Sequence, residues 1–290
     1  MAAGLGSERA GTGERRATAI ANAALAIASC LSSTSTVHAA PDPPPSNVVL
    51  VAHRGAVGPG QPENTMAAFR LAIANGAEVI EIDLRGTKDG EIVVIHDPTV
   101  DRTTNGSGAV AHQTLAQLRL LDAGRGERIP TYQEVLRLVS GTGIVLLLDI
   151  KKGGVLDREK VIRVTEDHDA VARVIVGLRS LEDLSAFRAL NPGLRTIGFV
   201  DEIGDIAPFV QGGADIIRLW PEWIYASPGL VSKVHELGRQ VWTTAGDAPR
   251  VELAKLVRLG VRGILVDQPE VMNELLAQLG KGRGSEDQAR

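Results

Sequence analysis

From residue 48 onward, short apolar runs alternate with amphipathic stretches along the chain. This alternation is typical of repeated βα units arranged around a parallel sheet. Glycine commonly ends a helix, and Gly76, Gly238 and Gly260 follow three of the amphipathic patterns. The predicted helices include 64–75, 131–140, 180–190, 227–238 and 249–259. The eight predicted strands are 48–53, 78–83, 144–149, 173–177, 194–199, 214–218, 240–243 and 263–267.

A ninth extended run, 91–95, is predicted to form a hairpin with the second strand. Only seven residues separate it from Asp83, whereas a parallel crossover requires about a dozen or more. The turn Lys88-Asp89-Gly90 is typical of hairpins, and centring it on Asp89 and Gly90 pairs residue 83 with residue 96. Eight parallel strands and one hairpin predict a (β/α)₈ TIM barrel with a β-hairpin extension after strand two. Such barrels place their active sites at the C-terminal ends of the strands.

The first 47 residues are not predicted to belong to the barrel. Residues 1–39 are predicted to be a signal peptide, because an uncharged stretch from Ala17 to Cys30 follows a charged segment and small residues precede a cleavage point after Ala39. An alternative is a lipoprotein signal with a lipid anchor at Cys30. Either signal predicts a secreted, periplasmic or cell-envelope protein, and the uncharged stretch is too short to span a bilayer stably. The remaining predicted boundaries are a Pro-rich linker at 40–47, the barrel at 48–280 and a disordered tail at 281–290.

Composition excludes several classes of function. The net charge is −4 and the lysines and arginines are scattered, which argues against nucleic acid as a partner. Cys30 is the single cysteine, so an internal disulfide and a zinc site built from several thiolates are both excluded.

Polar residues collect where the first three predicted parallel strands end. Side chains alternate along a strand, so Glu81 and Asp83 share one face, as do Asp149 and Lys151. Carboxylates that converge without compensation repel one another, which predicts a bound divalent cation, and oxygen ligands favour Mg²⁺ or Ca²⁺. Two flanking imidazoles can act as general base and general acid, and two cationic side chains can bind a phosphate. The candidate residues are His53 and His96 for catalysis, Arg54 and Lys151 for the phosphate, and Glu81, Asp83 and Asp149 for the metal.

These residues lie within motifs that resemble the glycerophosphodiester phosphodiesterase family. The motifs are HRGAVGPGQPENTMAAF (53–69), EVIEIDLRGTKDGEIVVIHD (78–97), DRTTNGSG (101–108), IPTYQEVL (129–136) and LLLDIK (146–151). No one of them would suffice, but they occur in order and with matching spacing.

The resemblance implies a reaction and a role for each candidate. The family hydrolyses glycerophosphodiesters, such as glycerophosphocholine or glycerophosphoethanolamine, to sn-glycerol 3-phosphate and an alcohol. It implies an acid/base pair of His53 and His96, a phosphate ligand at Arg54, and a second polar group at Glu63 that supports Arg54 or the ion. It further implies a metal held by Glu81, Asp83 and Asp149, and a lysine at 151 that neutralises the phosphate.

The sequence departs from the family pattern at two places. Asp149 stands where the family often has Glu, and the family's WTVN is here Trp242-Thr243-Thr244-Ala245. Trp242 is nevertheless a candidate for contacting the substrate, since aromatic faces can hold a quaternary ammonium group.

Two alternatives to this function remain open from the sequence. One is a lyase similar to the sphingomyelinase D toxins, which share a barrel with two histidines and an acidic metal site, although their disulfide-stapled loop is absent here. The other is a non-catalytic barrel that binds phosphodiesters.

Overall fold

A computed structural model describes residues 48–153 and 155–287. The predicted signal peptide (1–39), with the anchor candidate Cys30, and the linker (40–47) lie outside the described residues, as do residues 288–290.

Nine strands form in the described part of the chain, at positions close to the predicted runs. The apolar residues Val, Ile and Leu dominate them, as is usual for strands buried on both faces. The strands are β1 (Val49–Ala52), β2 (Val79–Gly86), β3 (Ile92–Val94), β4 (Val145–Ile150), β5 (Val174–Leu178), β6 (Arg195–Phe199), β7 (Ile216–Leu219), β8 (Gln240–Gly246) and β9 (Gly263–Val266).

Helices follow most of the strands, and several begin at a side-chain cap. Thr65, Thr131, Asp157 and Ser180 each accept a hydrogen bond from a backbone N–H of the first helical turn. The helices are α1 (Met66–Ala74), α2 (Leu115–Leu118), α3 (Tyr132–Val139), α4 (Arg158–Asp167), α5 (Leu181–Leu190), α6 (Ile206–Gln211), α7 (Pro221–Ala226), α8 (Gly229–Glu236), α9 (Arg250–Arg258) and α10 (Pro269–Asp287).

Eight of the strands are parallel and close into a barrel, which confirms the predicted fold. Around the ring, β1 is followed by β2, β4, β5, β6, β7, β8 and β9, and β1 pairs with both β2 and β9. Val51 of β1 lies opposite Val79 on one side and Leu265 on the other. The inward-facing layer below the barrel mouth is Val51, Val79, Leu147, Ile175, Ile197, Phe199, Ile216, Trp242 and Leu265.

The predicted hairpin is present, but its register differs from the prediction by one residue. Leu84 lies opposite Val94, and Ile95 N donates to Asp83 O at 2.9 Å, so residue 83 faces residue 95 rather than 96. The turn contains three residues instead of two, because Thr87 N bonds to Glu91 O and Gly90 adopts a φ of +76°. A glycine in the left-handed region is typical of three-residue hairpin loops.

The predicted domain end at residue 280 falls inside α10, which continues to Asp287. Among residues 48–153 and 155–287, no helix combines the length and apolarity that crossing a bilayer requires.

Candidate active site

Three carboxylates lie together at the C-terminal ends of β2 and β4. The parallel register places Asp83 opposite Asp149, and Glu81 lies two residues before Asp83 on the same inward face. All three residues are buried, with exposed fractions of 2%, 0% and 4% for Glu81, Asp83 and Asp149. One oxygen from each lies within 4.8 Å of the others. The structure thus brings the three predicted metal ligands into one cluster.

Burial and mutual repulsion give the cluster unusual electrostatics. Burial, reinforced by the charges of Asp83 and Asp149, raises the pKa of Glu81 well above its usual range. Burial also opposes ionisation of Asp83, but the charges of Lys151 and Arg54 outweigh it and lower its pKa to about 2. Lys151 Nζ lies 2.7 Å from Asp83 Oδ1 and also contacts Asp149 Oδ2. Lys151 therefore neutralises part of the negative charge of the cluster.

His53 follows β1 directly. Its ring is held by a residue near the C-terminal end of the barrel sequence. Its Nδ1 lies 2.7 Å from Oδ1 of Asp267, the residue that follows β9. Because β1 and β9 are neighbours in the barrel, their C-terminal ends bring these two side chains together. This contact occupies Nδ1 and orients the ring of His53.

His96 is held in the same way by the residue next to it. Its Nδ1 lies 2.6 Å from Asp97 Oδ1, and Arg102 Nε donates to the other oxygen of Asp97 at 2.6 Å. Arg85 fixes the backbone, donating to His96 O from Nε at 2.9 Å and from Nη2 at 2.7 Å. Burial lowers the pKa of His96, which favours the neutral ring at neutral pH.

Arg54 connects the carboxylate cluster to Glu63 at the rim of the barrel mouth. Its backbone N–H donates to Glu81 Oε2 at 2.9 Å, and its Nη1 donates to Glu63 Oε1 at 3.0 Å. Its Nε lies 3.5 Å from Asp83 Oδ2, whose other contact is Asn64 Nδ2 at 2.6 Å. Arg54 and Asn64 adopt φ angles of +57° and +55°, a left-handed conformation that is costly for residues other than glycine and is concentrated at functional sites.

Trp242 lies at the opposite end of the barrel, which corrects its prediction as a substrate contact. Its side chain is 1% exposed, and its Nε1 donates to Oε1 of Gln240, the first residue of β8. It lines a cavity of about 390 Å³ with Val49 and Val145, which begin their own strands. The prediction ended the strand at 243, whereas β8 extends to Gly246, so Trp242 lies near its beginning rather than its end.

Three further polar residues of the mouth were not assigned a role from the sequence. Asp267, a strand-end acid, proves to be the partner of His53. Arg179 follows β5 and binds Asp149 with two nitrogens, at 2.7 Å from Nη2 and 3.3 Å from Nε. Arg218 lies within β7 and is 2% exposed. The signal for Arg218 was a charged residue on the inward face of an apolar strand, two positions after Ile216.

The carboxylate cluster fits a divalent metal ion. Its donors are all oxygen atoms, which hard cations such as Mg²⁺ and Ca²⁺ prefer. The burial that raises the pKa of Glu81 also excludes water that would otherwise screen the three charges. A cation of charge +2 would relieve the repulsion directly.

Comparisons with known proteins point to one family. The Glycerophosphoryl diester phosphodiesterase family matches residues 53–195. A glycerophosphodiester phosphodiesterase of Caldanaerobacter subterraneus subsp. tengcongensis is 35% identical over 243 residues, which cover 80% of this chain and 99% of the relative. A glycerophosphodiester phosphodiesterase of Bacillus subtilis is 28% identical, over 80% of this chain and 87% of the relative.

Solved structures agree with these sequence matches. A glycerophosphodiester phosphodiesterase from Agrobacterium tumefaciens superposes with a TM-score of 0.69 at 28% identity, covering 78% of this chain and 99% of that one. An Oleispira antarctica phosphodiesterase, solved in complex with the product sn-glycerol-3-phosphate, shares the fold with a TM-score of 0.71 at 24% identity, covering 80% of this chain and 97% of that one. The chain belongs to the glycerophosphoryl diester phosphodiesterase family, and it is an enzyme of the phosphodiester hydrolase class.

Proposed function

We propose that the protein hydrolyses glycerophosphodiesters, such as glycerophosphocholine and glycerophosphoethanolamine, to sn-glycerol 3-phosphate and an alcohol, with His53 and His96 as the acid/base pair. The observation that carries this proposal is the pairing of each Nδ1 with a carboxylate, Asp267 for His53 and Asp97 for His96. Such pairing fixes the ring and leaves Nε2 for proton transfer. The Oleispira antarctica phosphodiesterase, with its bound sn-glycerol-3-phosphate, is consistent with the same product.

Glu81, Asp83 and Asp149 would hold one divalent cation, Mg²⁺ or Ca²⁺. When bound, the ion supplies charge that stabilises the negative phosphoryl oxygens of the transition state. Arg54 stands beside the cluster and binds a phosphate oxygen. Lys151, partly buried between Asp83 and Asp149, contributes a second positive charge to the same site.

The chemical step requires two proton transfers. One histidine accepts the proton of the attacking hydroxyl as the new P–O bond forms. The other gives its proton to the alcohol oxygen as the second P–O bond breaks. The attacking hydroxyl belongs either to water or to C2 of the substrate's own glycerol, in which case a cyclic phosphate forms first and is then hydrolysed.

Release of sn-glycerol 3-phosphate by the full chain tests this proposal. The substrates are glycerophosphocholine and glycerophosphoethanolamine, each assayed with EDTA, Mg²⁺ or Ca²⁺. We expect turnover that EDTA abolishes and one of the ions restores. His53→Ala and His96→Ala should each lose at least about 10²-fold in kcat, whereas His112→Ala, at an exposed position away from the site, should retain full activity.

The same assay separates the alternatives. Accumulation of a cyclic phosphate as the final product would indicate the lyase. Binding of the diesters without turnover under either ion would indicate a non-catalytic barrel. A substrate analogue that lacks the glycerol 2-hydroxyl distinguishes the two nucleophiles, since it reacts only if water attacks directly.

A further inference from the structure

Arg218 is a buried cation whose hydrogen-bonding capacity is largely unused. Its side chain lies on the inward face of β7, above Ile216, and only 2% of the residue is exposed. Its Nε and Nη1 atoms find no hydrogen-bond partner among the residues that the structure describes. A buried guanidinium without partners is costly for the fold. A ligand that supplies the missing acceptors would offset this cost.

The aromatic surroundings hold this guanidinium in one place. The carbon Cζ of Arg218 lies 3.6 Å from the centroid of the Trp220 ring and 5.4 Å from that of Phe199. Arg179 stacks on the same Phe199 ring at 4.8 Å. The ring has room because β5 carries Gly177 at this level, where an added Cβ would lie 2.1 Å from Phe199 Cε2. These contacts hold both guanidinium groups against the ring of Phe199.

The two arginines differ in their charge balance. Arg179 is neutralised by its bidentate pair with Asp149. Arg218 forms no ion pair with any carboxylate of the described residues. The carboxylates of Asp149, Asp201 and Glu222 act on its pKa only through longer-range electrostatics. Burial, followed by the charge of Arg179, lowers the pKa of Arg218 to about 10, so it remains protonated at neutral pH. The β5 to β7 side of the mouth thus carries an unneutralised positive charge.

We propose that Arg218, with Arg179 beside it, binds a second negatively charged group on the alcohol portion of the diester. This inference rests on the proposed function and names its substrate class. In the proposed function, the scissile phosphate binds near His53, His96 and Arg54, on the side of the mouth formed by β1 to β3. The glycerol portion of the substrate carries no charge. The variable alcohol is then the part of the substrate that reaches β7, where a carboxylate or a phosphate monoester matches the guanidinium.

The anionic group would reach Arg218 by passing the side chain of Trp220. Its side chain covers one face of the guanidinium and remains 39% exposed at the mouth. The positive charge of Arg218 would repel the quaternary ammonium of a choline group. The subsite therefore favours an anion over choline.

Two matched substrate pairs test the proposal. Glycerophosphoserine differs from glycerophosphoethanolamine by one carboxylate, and glycerophosphoinositol 4-phosphate differs from glycerophosphoinositol by one phosphate. We expect the full chain to show a kcat/KM at least about 10-fold higher for the anionic member of one pair, as charged hydrogen bonds typically contribute. The pair that shows the preference tells whether the subsite takes a carboxylate or a phosphate monoester.

Variants of Arg218 should change this preference specifically. Arg218→Gln should bring the ratio of the two kcat/KM values to about one, and Arg218→Lys, which keeps the charge, should restore part of it. Arg258→Gln, at an exposed position of α9, is the matched control and should leave the ratio as in the wild type. Melting curves establish that each variant is folded, and Arg218→Lys carries the test if the Gln variant is not.

Other outcomes would overturn the inference. One is a wild-type enzyme with the same kcat/KM for both substrates of each pair. Another is an Arg218→Gln variant that loses activity equally on both substrates of a pair, which would assign Arg218 to the scissile phosphate or to the fold. Calorimetric binding of the same diesters to His53→Ala distinguishes failure of the proposed function from failure of the anion subsite. If no diester releases sn-glycerol 3-phosphate, the proposed function fails, while tighter binding of the anionic members would still support the subsite.

Discussion

His53 depends on Asp267 for its orientation, and the bond of 2.7 Å between them can be removed with little change in shape. In Asp267→Asn we expect kcat to fall by about 10²-fold, the low end of what a positioned acid or base contributes. KM should change little, because the phosphate and metal contacts remain.

Steady-state release of sn-glycerol 3-phosphate measures this effect. Asp267→Glu should recover part of kcat, and Asp247→Asn, an exposed acid just beyond β8, should behave like the wild type. An Asp267→Asn enzyme with normal kcat would show that His53 needs no such partner.

Arg102 has an effect on stability that depends on pH. Its hydrogen bonds, followed by that of His96, hold the pKa of Asp97 well below its usual range. A carboxyl group whose pKa is lower in the folded protein contributes stability above its unfolded pKa of about 3.9, and this is lost as the pH falls through the folded value. Arg102→Gln should therefore melt at a lower temperature than the wild type at pH 7, and the gap should begin to narrow as the pH falls below about 4. Melting curves across this range check it, and a gap that stays constant with pH would contradict the assignment.

Among the elements, β5 contains a position that accepts no side chain. A Cβ at Gly177 would lie 2.1 Å from the Phe199 ring, within the inward layer of the barrel. Gly177→Ala should lower the free energy of unfolding by about 1–3 kcal/mol, the usual range for overpacking a core. Gly143→Ala is the matched control, because an added Cβ there meets nothing within 4 Å. Urea denaturation of both variants measures the difference, and equal stability of the two would show that the Phe199 ring moves aside freely.

The strands and the site they carry were predictable to different extents. Apolar runs located the barrel strands to within a few residues, because burial on both faces leaves a strong pattern. The register of the hairpin was not predictable from its turn residues, since Lys88-Asp89-Gly90 is compatible with loops of two and of three residues. Trp242 was misplaced because β8 continues through the polar residues Thr243 and Thr244, where the pattern predicted a strand end.

The site residues show a similar division. Glu81, Asp83 and Asp149 could be grouped from the sequence because side chains alternate along strands and parallel strands end at the same edge. The pairing of His53 with Asp267 was not predicted. Closure of the predicted barrel makes the first and last strands neighbours, but which side chains meet at their ends depends on the register of that pair and on side-chain rotamers.

Over the whole molecule, the three buried carboxylates link metal binding to stability. The raised pKa of Glu81 shows that the cluster resists full ionisation when no cation is present. Mg²⁺ or Ca²⁺ should therefore raise the melting temperature, with a gain of about 2.7 kcal/mol when the ion is at 100 times its Kd. Glu81→Gln, which removes one ligand charge, should lose most of this increase. A wild-type melting temperature that responds to neither ion would count against the metal site.

The closure of the barrel through β1 also determines when the enzyme can become active during its synthesis. His53 is among the first residues of the barrel to leave the ribosome, and its partner Asp267 follows 214 positions later. The strand β9, which is followed by Asp267, is the last strand in chain order and closes the ring against β1. A nascent chain therefore contains all three proposed metal ligands and both histidines long before Asp267 can orient His53. We expect it to remain inactive until β9 has been translated and has joined the ring.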